Sequence, residues 1–227
     1  MEKITVKKLI EFRGKNDKTK ITLVKNLNKE KAKSADGSGG DYWISCLSAI
    51  RNAFKYANAN LLDEKIELLE NKIRVEEDKK IKDQFQRNLD IVNNFKDYDF
   101  QHLKPIGNLT FLPQPKDHSI INIKGFPVEA KPCHIFTFSN KKSEEIAGVW
   151  FVAQIDGFKK SDLGMFAEMI YRYLDKHHSK DFYVNPDYCI AVDLYNGQEV
   201  SYSEIQNGKV PTLIDSTLDD LKEVDVD

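Results

Sequence analysis

The sequence predicts an α/β (or α+β) fold, with an N-terminal helical subdomain followed by a mixed sheet that contains a βαβ crossover. The crossover rests on residues 148–194. Gly148-Val149-Trp150-Phe151-Val152-Ala153-Gln154-Ile155 is a continuous apolar run, read as a buried strand that ends at Asp156. Ser161 to His177 is amphipathic at helical spacing, and Tyr188-Cys189-Ile190-Ala191-Val192 is a second apolar run ending at Asp193. A strand, a helix and a strand in this order form a right-handed unit whose strands are parallel in one sheet. The helical half rests on Trp43, Leu47, Ile50 and Phe54, which recur at i, i+4, i+7 and i+11.

Taken in order, Thr5 caps a short helix carrying Val6, Leu9, Ile10 and Phe12 near one face. Gly14-Lys15-Asn16-Asp17 breaks it, and Ile21, Val24 and Leu27 mark a second helix. Ser34 to Gly40 is a loop by composition, with Asp41 as the N-cap of the Trp43–Phe54 helix. The loop lacks the GxxxxGK[ST] spacing of a phosphate-binding loop, and a helix precedes it where that motif needs a strand. Residues 62–95 carry two stripes, Ile66-Leu69-Ile73 and Ile81-Phe85-Leu89-Val92, interrupted by the charged interval 74–78. The helical subdomain is bounded at 1–98. Three prolines make 99–118 a linking loop, and 119–227 the mixed α/β subdomain. Short strands are expected at Ile120–Lys124, Val128–Lys131 and His134–Phe138, before the crossover. Asn196-Gly197 is a hairpin turn into Glu199–Tyr202, and a short acidic helix opens near Ser216.

Composition bounds the function classes. With 227 residues, 41% hydrophobic content and a net charge of −2, the chain can fill a core under a charged surface. No run approaches the roughly 20 apolar residues that span a bilayer, and the first residues show no signal-peptide core, so no membrane role is expected. Cys46, Cys133 and Cys189 are odd in number and widely spaced, which fits a reducing, cytoplasmic setting. Residues 1–35 hold eleven Lys/Arg against four acids, so this basic head is the segment that could meet nucleic acid. Only five of the 34 basic residues are arginine, the residue that reads bases and grips phosphates bidentately; a solvated helix face is the simpler reading.

The candidate chemistry lies in the second half. Asp156 and Asp193 close the two apolar runs and fall at the carboxyl edge of a parallel pair, where ligands gather. Glu129-Ala130-Lys131 is a strand-borne acid-x-Lys, and Asp117, in Pro115-Lys116-Asp117, precedes it. Adjacent Cys133 and His134 are expected on opposite faces of their strand, as a buried thiol beside a hydrogen-bonded histidine. Over roughly residues 105–205 the order of elements resembles the restriction-endonuclease-like superfamily, which sets an Asp and a (D/E)-x-K pair on adjacent strands. The resemblance implies Asp117 and Glu129 as candidate metal ligands for Mg²⁺, and Glu129 and Lys131 as candidate catalytic residues. Asp156 and Asp193, from their place at the sheet edge, are further candidates for both roles. The same pattern also occurs at Asp63-Lys65, Glu70-Lys72, Glu77-Lys79 and Asp78-Lys80, and Pro132-Cys133-His134 stands where that family often has Pro-Asp.

Two functions follow. One is a non-catalytic intracellular interaction module, without cofactor, whose N-terminal helices meet a partner protein and whose α/β half is a scaffold. The other is a Mg²⁺-dependent nuclease or related phosphodiester-cleaving enzyme. The scattered acids favour the module.

Overall fold

The computed structural model describes residues 3–28, 42–113, 119–140 and 143–224. The expected Ser34–Gly40 loop, the Asp41 cap and Asp117 lie outside the described residues.

The first strand, β1 (Ile4–Thr5), leads into α1 (Val6–Arg13), whose Thr5 cap accepts the Lys8 amide as expected. Helix α2 (Asp17–Asn28) follows, then α3 (Ile44–Tyr56), α4 (Asn60–Val75) and α5 (Lys79–Asn94). The charged interval is a true break: Asp78 accepts the amides of Lys80 and Ile81 and starts α5 afresh. Trp43 sits at the N-cap of α3, one residue before the helix begins. With Leu47, Ile50 and Phe54 it is buried.

Two sheets follow. The smaller has order β1-β4-β3, with β3 (Ile120–Ile123) antiparallel and β1 parallel to β4 (Phe126–Glu129). The larger runs β2-β5-β6-β7-β8, from β2 (Thr110–Phe111) through β5 (His134–Asn140), β6 (Ser143–Val152) and β7 (Tyr183–Asp193) to β8 (Glu199–Ser201). Only β6 and β7 are parallel in it, and α6 (Lys160–His178) joins them. Two short helices, α7 (Tyr202–Gln206) and α8 (Ile214–Lys222), complete the described chain.

Several boundaries differ from expectation. Strand β7 begins five residues early, because Asn185-Pro186-Asp187 interrupts the apolar run and the ladder shifts register between Ile146 and Gly148. Strand β6 stops at Val152, since the chain turns at Asp156 with a left-handed φ of 65°. The proline-bearing stretch is more than a surface loop: Phe100–Leu103 form a 3-10 turn with Leu103 buried, and β2 pairs with β5. Tyr202 opens a helix and does not continue the strand, under a Ser201–Glu204 capping box legible as Ser-x-x-Glu.

The large sheet is buried on both faces. Period-two alternation sends Ile146, Val152, Cys189 and Ala191 towards α6, and Ala147, Val149, Phe151, Ile190 and Val192 towards α3–α5. The sheet, and not the segment 99–118, divides the two cores. Helices α1 and α2 share the α6 side, where α1 packs on α6 and α8 and Arg13 donates to Thr217 Oγ1 at 3.1 Å. Gly148 brings α6 close: a Cβ there would lie 3.0 Å from the His134 carbonyl oxygen and 3.1 Å from Ile170 Cγ2. No helix of the described residues is long and apolar enough to cross a membrane.

On the other face Phe54 is the hub. Its fully buried ring meets Phe100, Phe111, Phe136 and Phe151 at centroid distances of 5.5–6.3 Å. Phe54→Ala should lower unfolding free energy by about 3–5 kcal/mol, the usual result of removing a buried ring from a site that cannot collapse. Urea denaturation checks this.

Candidate functional site

Two of the expected acids, Asp193 and Glu129, are engaged within the fold. Asp193 is buried at the end of β7. Its Oδ2 accepts the Phe158 amide at 2.7 Å, and its Oδ1 accepts the Tyr195 amide at 3.0 Å. The carboxylate thus ties the loop after β6 to the turn after β7. Burial pushes its carboxyl above the ordinary range, against the opposing effect of those two amides. Gly157 makes the tie possible, because a Cβ there would come within 2.5 Å of Asp193 Oδ2 and its φ is +69°. Asp156 sits exposed in the same turn, with a left-handed φ of 65°.

Glu129 lies elsewhere, on β4 of the small sheet, opposite Thr5 and Ile120. Lys3 and Lys131 donate to its Oε1 from 2.6 and 2.9 Å. Burial raises the Glu129 carboxyl, but the two ammonium groups outweigh it and hold the group below its usual range. Lys131 is therefore a salt-bridge partner of Glu129. Among the described residues no three His, Cys, Asp or Glu side chains converge to hold a metal ion.

Several lysines of the basic head are also engaged. Lys8 and Lys15 pair with Glu11, Lys20 with Asp17, and Lys7 donates to the Ala153 carbonyl. The groove of about 490 Å³ between α1 and α2 is lined by several of these same side chains, including Lys3, Lys8, Glu11 and Lys15.

A different cluster stands out around His134. Cys133 precedes the first residue of β5, so strand alternation does not separate it from His134, and both reach Arg51 of α3. Arg51 Nε donates to Cys133 Sγ at 3.0 Å, and His134 Nε2–H donates to the Arg51 carbonyl at 3.0 Å. The imidazole stacks on Phe54 at 5.7 Å and 17°, with Phe111 edge-on at 5.4 Å. Lys104 Nζ lies 4.6 Å from the Phe54 ring centre and donates to the Phe54 carbonyl at 2.5 Å. Lys55 Nζ lies 5.8 Å from the Phe111 ring centre. Burial, reinforced by the charges of Lys55, Arg51 and Lys104, brings His134 down to about 4, so it is neutral near pH 7. Burial likewise pushes the Cys133 thiol up, against Arg51, and leaves it a poor nucleophile.

A sequence signal for this cluster exists. Residues 42–62, 100–116 and 130–143 contain no Asp or Glu, although the chain has 36 in 227 residues and an even spread would place about eight there. The three stretches supply α3, the segment before and including β2, and β5, which meet at His134. A search of family models, curated proteins and solved structures finds nothing that matches this chain.

Two outcomes follow. Asp193→Asn should cost about 1–3 kcal/mol in urea denaturation, since one backbone amide then faces an amide nitrogen in place of an acceptor. His134 makes stability pH-dependent. As pH falls below about 6.5 the unfolded imidazole takes a proton that the folded one refuses until about pH 4, so stability declines across that window. Urea midpoints between pH 7 and pH 5 should show the decline, and His134→Gln should flatten it.

Proposed function

We propose that this chain is a non-catalytic binding module: the mixed sheet is the scaffold, and the helical layer α3–α5 with the segment before β2 is the face presented to a partner. One observation carries the reading. Both oxygens of Asp193 are taken by backbone amides of its own loops, while Glu129 is bonded to two lysines in the other sheet. A phosphodiesterase needs carboxylates held together within bonding reach of one metal ion. In terms of the resemblance in element order, the chain is proposed as a member that does not cut.

The helical layer supports a protein partner. Leu68, Val75 and Ile81 are exposed on α4 and α5, at 45%, 77% and 41%. An intracellular setting fits the three cysteines, all of them buried. The basic head is the poorer surface for nucleic acid, because Lys3, Lys7, Lys8, Lys15 and Lys20 already have acidic or carbonyl partners.

The test is nicking of plasmid and single-stranded DNA and RNA with added Mg²⁺ or Mn²⁺, alongside Glu129→Ala and Asp193→Ala proteins. The expected outcome is no cleavage above that of the variants. Cleavage by the parent that either substitution abolishes would overturn the module in favour of a metal-dependent nuclease.

A further inference from the structure

We propose that Arg51, Lys55 and Lys104 form a binding site for a phosphate monoester dianion. The inference deepens the module reading by naming the chemistry its helical face recognises. Three cations from two separate segments surround one neutral imidazole, and no carboxylate of the described residues pairs with any of them. Arg51 and Lys55 stand at i and i+4 on α3, a like-charge spacing that destabilises a helix. An anion between them reverses that sign.

The donors are arranged for an oxyanion. Cys133 Sγ takes the Arg51 Nε–H and so orients the guanidinium, leaving the two terminal nitrogens for a bidentate contact. Lys104 uses one ammonium proton on the Phe54 carbonyl, which covers the negative end of α3 that would repel an anion, and two protons remain. Lys55 is exposed at the rim and closes the third side. His134, kept neutral by burial and by the three neighbouring cations, adds no charge of its own. Three positive charges suit a group of charge −2 better than a single carboxylate.

The surroundings extend the site. Tyr56 is 62% exposed, and Lys55 Nζ lies 5.5 Å from its ring and 5.8 Å from that of Phe111. A flat organic portion carried by the phosphate finds an aromatic surface beside the cations. The convergence of three acid-free stretches is independent of this geometry and points the same way, since it keeps competing carboxylates off the site.

The experiment is calorimetric titration of the full chain in low salt near pH 7.5 with inorganic phosphate, phenyl phosphate and, at matched ionic strength, acetate. Saturable binding of both phosphates is expected, with phenyl phosphate tighter and acetate weaker by at least about tenfold. Lys55→Glu, at an exposed position, and Arg51→Lys, which keeps the charge and loses the fork, should each weaken phosphate by about tenfold or more. Lys18→Glu should leave it unchanged, and thermal melts confirm that each variant is folded. Phosphate no tighter than acetate, or variants that bind like the parent, would overturn the site. So would an oligonucleotide without a terminal phosphate that displaces phenyl phosphate, since that makes the surface one for nucleic acid. The nicking assay is separate: a chain that cuts DNA yet binds phosphate through Arg51 loses the module reading and keeps this one.

Discussion

The parallel pairing of β6 with β7 is the constraint from which the rest of the molecule is arranged. Two parallel neighbours cannot be joined by a tight turn, so the chain must leave the sheet, cross one face and return. Helix α6, 19 residues long, makes that crossing and claims one face over its whole length. The opposite face, lined by Val149, Phe151, Ile190 and Val192, needs a cover of its own, and α3–α5 provide it. Both loops at the carboxyl ends of the pair then lie side by side, and the carboxylate of Asp193 is what they share. At a position that in other parallel sheets meets a ligand, Asp193 here accepts two backbone amides.

How much of this was legible depended on the range of the interaction concerned. The helices at Trp43–Phe54 and Ser161–His177, and the parallel crossover, were readable because apolar spacing is a local record of which face is buried. Strand β1 was not, since two residues carry no period and Ile4–Thr5 become a strand only by meeting Val128–Glu129. The prolines between 99 and 118 suggested a surface connector, yet Phe100 and Phe111 are drawn in by Phe54, a contact that no local pattern encodes. For the site residues the difficulty was the same. Asp193 at a strand end has one sequence signature whether it binds a ligand or a backbone amide, and only the return of Gly157 and Phe158 decides between them. Glu129 and Lys131 do meet, as an ion pair.

The cationic cluster shows how absence of charge can be as informative as its presence. A chain with nearly a third of its residues charged has three stretches without acid, and the fold brings them to one place. Each stretch alone looks like ordinary variation. Together they leave Arg51, Lys55 and Lys104 with aromatic rings, a thiol and carbonyl oxygens as neighbours, none of which cancels a full positive charge.

The packing of α1 against α8 bears on the order in which the molecule is made. Leu9 and Phe12 are fully buried in a core shared with Ile214 and Leu218, and Arg13 bonds Thr217 across 204 positions of sequence. During synthesis the first helix therefore waits, its apolar face open, until α6 and then α8 leave the ribosome. Helices α3–α5 can pair among themselves earlier, so the face proposed to meet a partner begins to assemble before the opposite one is sealed. A nascent chain that stops before α8 therefore leaves the apolar face of α1 without its cover of Ile214 and Leu218.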